Sequence, residues 1–141
     1  MSTEENKAIM RRFIEAGNRQ EMATVWSFID PDCYLPDMVR FGCEPNFAGY
    51  QKFLTAFYAA LPDAFLDVED MVAEGDQVWV WYIIRGTHRG PLRGVPATNK
   101  QVSYRFIAKY RLEHGRIVFA DALADNLSLL QQLDALPSSG S

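Results

Sequence analysis

Residues 102–112 read Val-Ser-Tyr-Arg-Phe-Ile-Ala-Lys-Tyr-Arg-Leu. Val102, Tyr104, Phe106, Ala108, Tyr110 and Leu112 take the even positions, and Ser103, Arg105, Ile107, Lys109 and Arg111 the odd ones. Successive side chains of a strand point to opposite faces, so this period of two predicts a strand with one buried face. Downstream, Glu113-His114-Gly115 suits a tight hairpin connection, and residues 116–123 return as a last strand. Upstream, residues 78–84 are apolar at every position and need cover on both faces. Gly75-Asp76 turns that run back onto residues 65–74, where Phe65, Asp67 and Glu69 alternate with Leu66, Val68 and Asp70. Four long strands, mostly joined by hairpins, make an antiparallel sheet.

Helical spacing governs the chain before the sheet. Ile9, Met10, Phe13 and Ile14 fall on one face of a first helix, with Glu4, Glu5, Arg11, Arg12 and Glu15 opposite. Ser2 followed by Glu5 forms a capping signal, and Gly17-Asn18 offers a stop. A second helix spans about 21–29, through Met22, Val25, Trp26 and Ile29, and Asp30-Pro31-Asp32 closes it. Residues 33–47 lack a sustained period and predict a short strand plus a loop. A third helix, about 49–61, carries Tyr50, Phe53, Leu54, Phe57, Tyr58 and Leu61, with Pro62 as its stop. Filling a core is the first role of that stripe, and lining a ligand cavity is an added one. A short helix at about 126–133 precedes Pro137-Ser-Ser-Gly-Ser, which is composed like a flexible tail. The expected fold is α+β: a cone-shaped, curved antiparallel sheet packed on three helices, as one domain over 1–136 with a tail at 137–141. A sheet that curls without closing leaves a conical, largely apolar pocket.

Composition limits the partners. At 141 residues and 48% hydrophobic, the chain has room for one core. Fourteen basic against eighteen acidic side chains give a net charge of −4, which removes the attraction that drives nucleic-acid binding. No apolar run approaches the roughly 20 residues of a spanning helix, so no membrane segment is expected. Cys33 and Cys43, without an apolar leader, predict free thiols and a cytoplasmic location. His88 and His114 are the only histidines, so a zinc site is not expected. There is no Gly-rich phosphate loop, Gly-x-Ser-x-Gly elbow or cysteine spaced with histidine, and no cofactor is expected.

Candidate chemistry centres on the last strand. Unbroken alternation puts Ile117, Phe119, Asp121 and Leu123 on one face and extends it to Asp125. If that face lines the pocket, two carboxyls enter an aromatic cavity where desolvation and mutual repulsion raise at least one pKa toward neutrality. Otherwise Asp125 caps the helix that follows it and Asp121 is solvated. His88, in Arg85-Gly86-Thr87-His88-Arg89-Gly90, either donates to a substrate carbonyl or is an ordinary loop histidine. Trp79 and Trp81 share one face of their strand, and Tyr104, Phe106 and Tyr110 crowd the next. With Phe57 and Phe119 they are candidate pocket rings or plain core.

The set Glu74-Gly75-Asp76-x-Val78, Arg85-Gly86-Thr87-His88-Arg89-Gly90, Gly94-Val95-Pro96-x-Thr98, Gly115-Arg116-Ile117-Val118 and Asp125-x-Leu127-x-Leu129-Leu130-x-Gln132-Leu133 resembles the SnoaL-like polyketide cyclases. The resemblance implies the cone-shaped fold of the nuclear-transport-factor-2-like superfamily. It also implies cofactor-free aldol ring closure, in which an aspartate removes a proton alpha to a carbonyl. Asp125 matches that aspartate, with Asp121 as rival, and His88 and Tyr104 would donate to the oxygen that gains charge. Trp79, Trp81, Phe57 and Phe119 would shape the pocket around a hydrophobic, carbonyl-bearing metabolite. An isomerase, an epoxide-opening hydrolase and a non-catalytic binder share this architecture. A homodimer through the outer sheet face, where Arg105, Ile107 and Lys109 point, is implied by the same resemblance.

Overall fold

The computed structural model describes residues 1–136, so the expected tail at 137–141 lies outside the described residues. In chain order come α1 (Thr3–Asn18), α2 (Met22–Ser27), β1 (Ile29–Tyr34), a 3₁₀ segment (Pro36–Phe41), α3 (Phe47–Ala60), β2 (Phe65–Glu74), β3 (Gln77–Thr87), β4 (Gln101–Glu113), β5 (Arg116–Ala124) and α4 (Asn126–Gln132). The sheet order is β1-β5-β4-β3-β2. Four long strands pair antiparallel as expected, and β1 joins the edge parallel to β5. No described helix is long and apolar enough to cross a membrane.

The ends of the helices follow the sequence chemistry. Ser2 accepts from the Glu5 backbone N–H at 3.1 Å while Glu5 reaches back to Ser2, closing a capping box at α1. Asn18 ends that helix with a two-pronged clamp on β2: its amide donates to Leu66 O at 3.0 Å and accepts from Leu66 N at 2.8 Å. The second helix stops at Ser27, short of the expected end, because Ile29 enters the sheet opposite Ile117. Pro31 then falls inside a strand, which it tolerates because β1 is an edge. At the start of α3, Gly49 passes so near Glu44 that a Cβ would lie 1.8 Å from its carbonyl oxygen.

Two bulges turn strands over. In β2, Val68 pairs with Tyr82 but Asp70 pairs with Trp81, so Glu69 is an extra residue. The concave face therefore passes from Leu66 and Val68 to Met71 and Ala73, and Asp70 joins the convex side. In β5, Phe119 faces Arg111 while Ile117 faces Leu112, which leaves Val118 as the extra residue. Ile117 and Ala120 consequently share the concave face, and unbroken alternation does not hold. The core fills this face with Val78, Val80, Tyr82 and Ala108 against Met10, Phe13 and Ile14 of α1.

Candidate active site

Beyond that packed region, the concave sheet, α3 and the 3₁₀ segment enclose a hollow. Its volume is about 120 Å³. Ala108, Ala120, Ala122 and Ala124 line the sheet side, and their short side chains leave the space open. Tyr50, Phe53, Leu54 and Phe57 line the helix side, as the aromatic stripe predicted. In a shallower depression bounded by Asp63, Thr87, Ser103 and Gln132, Thr87 donates twice to Asp63, and Gln132 bonds both backbone groups of Ser103.

Five polar side chains reach the apolar hollow: Asp37, Arg93, Tyr50, Tyr104 and Tyr110. Asp37 is held by the 3₁₀ segment, which starts at Pro36 and ends at left-handed Gly42, and it is 8% exposed. Burial, and then the charge of Asp121, push its carboxyl up to about 6, with nearby backbone N–H groups and Arg40 opposing. Burial pushes the Tyr104 phenol up to about 12, with Arg93 opposing. Burial likewise raises Tyr50 and Tyr110 well above the usual phenol range. Among the described residues, His88 Nε2 is the only side-chain polar atom both sealed from solvent and unpaired. The Tyr50 and Tyr104 hydroxyls, which have no protein partner among the described residues, therefore open onto the hollow. Tyr110 differs: its hydroxyl is tied to that of Tyr82 at 2.9 Å.

The structure brings four of the sequence candidates, Phe57, Tyr104, Phe106 and Tyr110, to the hollow and places the others elsewhere. Asp125 is exposed and accepts from Ser128 N at 3.0 Å as the cap of α4. The Val118 bulge turns Asp121 to the convex face opposite Lys109, where its carboxylate accepts from Ala122 N at 3.1 Å. Phe119 lies on the same side, its ring 6.1 Å from that of Tyr34 and 5.5 Å from the Lys109 ammonium. Trp79 and Trp81 are each 42% exposed on the convex face. His88 is fully buried outside the cavity lining. Its Nδ1 accepts from Thr98 N at 3.3 Å and lies 2.9 Å from Thr98 Oγ1, which places the ring hydrogen on Nε2. Backbone bonds to Lys100 O and from Asn99 N, both 2.8 Å, complete its hold on the 91–100 loop.

Asp37 and Arg93 were not singled out from the sequence. The available signals were local: an acid directly after Pro36 inside Leu-Pro-Asp-Met-Val, and a cation ahead of glycine in Leu92-Arg93-Gly94-Val95. Both sit in short irregular segments, where no periodicity assigns a face.

A sequence profile of the SnoaL-like polyketide cyclases matches residues 7–133. Among solved structures, AclR of Streptomyces galilaeus, a candidate hydroxylase, superposes with a TM-score of 0.84 at 28% identity, over 96% of this chain and 100% of that one. IdmH of Streptomyces antibioticus, a candidate polyketide cyclase, gives 0.78 at 28% identity over 92% and 98%. TsrD of Streptomyces laurentii gives 0.86 at 24% identity over 96% and 99%, a likeness of fold. No match was found among curated protein sequences.

Proposed function

The chain belongs to the SnoaL-like polyketide cyclase family, and from that premise we propose that its cavity performs acid–base chemistry on a hydrophobic, carbonyl-bearing metabolite, with Asp37 as the base. One observation carries the reading: Asp37 is the only carboxylate lining the hollow among the described residues, and its pKa is raised to about 6. A base of that strength is ionised at neutral pH yet strong enough to take a proton from an activated carbon. In the step proposed, Asp37 removes the proton alpha to a substrate carbonyl, and the electron pair moves onto the carbonyl oxygen. The Tyr50 hydroxyl donates to that enolate oxygen. The enolate carbon then attacks a second carbonyl of the same molecule, and protonated Asp37 returns its proton to the new alkoxide. In this reading Asp121 acts through the sheet, its charge keeping Asp37 a stronger base, and Asp125 serves the fold.

Enolisation is measured without the natural substrate. In D₂O, native protein is expected to accelerate α-hydrogen exchange of 2-tetralone, followed by proton NMR, and Asp37→Asn to lower that rate by about 10² to 10⁴. Equal exchange with native protein and variant removes Asp37 from the mechanism.

The convex face supports a second protein copy as partner. Tyr34, Val72, Trp79, Trp81 and Leu123 are 42–60% exposed there. Exposed apolar side chains gathered on one sheet face favour a protein contact.

A further inference from the structure

Arg93 stands at the tip of a tight turn. Leu92 and Val95 exchange backbone hydrogen bonds of 3.0 and 2.9 Å, and Arg93 and Gly94 both have positive φ, 52° and 78°. Such a turn requires left-handed backbone at both central positions, which glycine and asparagine accept and arginine adopts under strain. His88, through Thr98, anchors the loop that carries this turn.

The side chain it supports reaches the hollow. The Arg93 guanidinium carbon lies 4.4 Å from the centre of the Phe41 ring, and Nε donates to Asn126 Oδ1 at 3.2 Å. The guanidinium thus packs over Phe41, and its two terminal amino groups have no acceptor among the described residues. Asp37 lines the same hollow, yet the ion pairs of the described residues do not include Arg93 with Asp37 or with any other acid. Asp37 has backbone N–H groups and Arg40 to offset its burial, whereas the Arg93 charge is partly desolvated with no acid paired to it. Tyr104, whose phenol feels the Arg93 charge, adds an open hydroxyl at the same end.

We propose that the Arg93 fork and the Tyr104 hydroxyl bind a carboxylate, so that the molecule taken by this cavity is an aromatic or polycyclic carboxylic acid. The proposal deepens the reading of the hollow as a substrate site and does not depend on Asp37 acting as a base. A guanidinium offers two parallel N–H donors that match the two oxygens of a carboxylate, and exclusion of water strengthens the pair. The charge of Asp37 repels the same group, with Asp121 reinforcing it from behind the strand. The acid is thereby oriented with its carboxylate at Arg93 and its ring body toward α3.

The test uses two bicyclic probes of one shape, 2-naphthoate and its neutral amide 2-naphthamide, titrated into the protein by calorimetry. Native protein is expected to bind the carboxylate at least about tenfold more tightly. Arg93→Asn, which accepts the left-handed backbone, is expected to bring that ratio near one by weakening naphthoate alone, with naphthamide within about twofold. Arg93→Lys keeps the charge without the fork and is expected to retain only part of the preference. No carboxylate preference in native protein, the same preference in Arg93→Asn, or an equal loss of both probes overturns the proposal. Because neither probe is turned over, a carboxylate preference without ketone exchange defeats only the catalytic reading, and exchange without the preference defeats only this one.

Discussion

The hydroxyls of Tyr82 and Tyr110 meet 2.9 Å apart between β3 and β4, and only Tyr110 lines the cavity. The two ends of this bond are therefore not equivalent. Tyr82→Phe leaves Tyr110 free to turn toward the hollow, and a loss of about 1 kcal/mol in urea denaturation is expected. Tyr110→Phe strands the hydroxyl of Tyr82, which is 0% exposed, and is expected to cost more, about 1–3 kcal/mol. Equal losses would show that both hydroxyls are equally enclosed.

Asp37 links stability to pH in the unusual direction for a carboxylate. Its folded pKa of about 6 lies above the ordinary 3.8, so the folded state binds its proton more tightly. The stability contributed by the protonated form is fully present below about pH 4 and is lost as pH rises through 6. Asp37→Asn is expected to stabilise the protein at pH 7 by roughly 1–2 kcal/mol, after discounting for solvent at the cavity mouth, and to give no such gain at pH 3.5. Denaturation across pH 3.5–7.5 checks the sign; a gain that is constant with pH contradicts the assignment. Ketone exchange by native protein is expected to fall as pH drops below about 6.

Asp125 gives a contrasting test. Asparagine caps a helix about as well as aspartate, and alanine does not. Asp125→Asn is expected to leave both melting temperature and exchange rate unchanged, while Asp125→Ala costs about 1 kcal/mol of stability with exchange retained. Loss of exchange in Asp125→Asn, with the fold intact, would return this aspartate to the chemistry.

The exposed tryptophans test the proposed partner copy. Native protein is expected to sediment as a dimer at micromolar concentration, and the double substitution Trp79→Ser and Trp81→Ser as a monomer. Lys109, whose ammonium lies 5.5 Å from both the Trp79 and the Phe119 ring centres, belongs to the same surface. A monomeric native protein refutes the assignment.

What the sequence could reveal follows the physics of each segment. The strand 102–112 buries one face along its whole length, so its alternation named its inward residues directly, including Tyr104. The α3 stripe did the same for Phe57. The last strand defeated the same method, because its alternation is clean in sequence but one extra residue, Val118, breaks it in space. Nothing in Ile117-Val118-Phe119 marks that residue, since all three are apolar. In β2 a mark was present: Glu69 and Asp70 are adjacent polar residues in an otherwise alternating run, at the place where the register shifts. Asp37 and Arg93 owe their positions to a 3₁₀ segment and a tight turn, whose directions are set by the tertiary fold.

Val118 also acts as a frame marker for the strand that contains it. A one-codon deletion at that site would restore plain alternation and leave every later pair in register, with Ala120 and Ala122 still on the concave wall and Asp121 still outside. Chains with and without the extra residue, aligned here without a gap, would match wall residues of one to exterior residues of the other. Any transfer of reacting groups between such chains must begin by locating that one-residue offset.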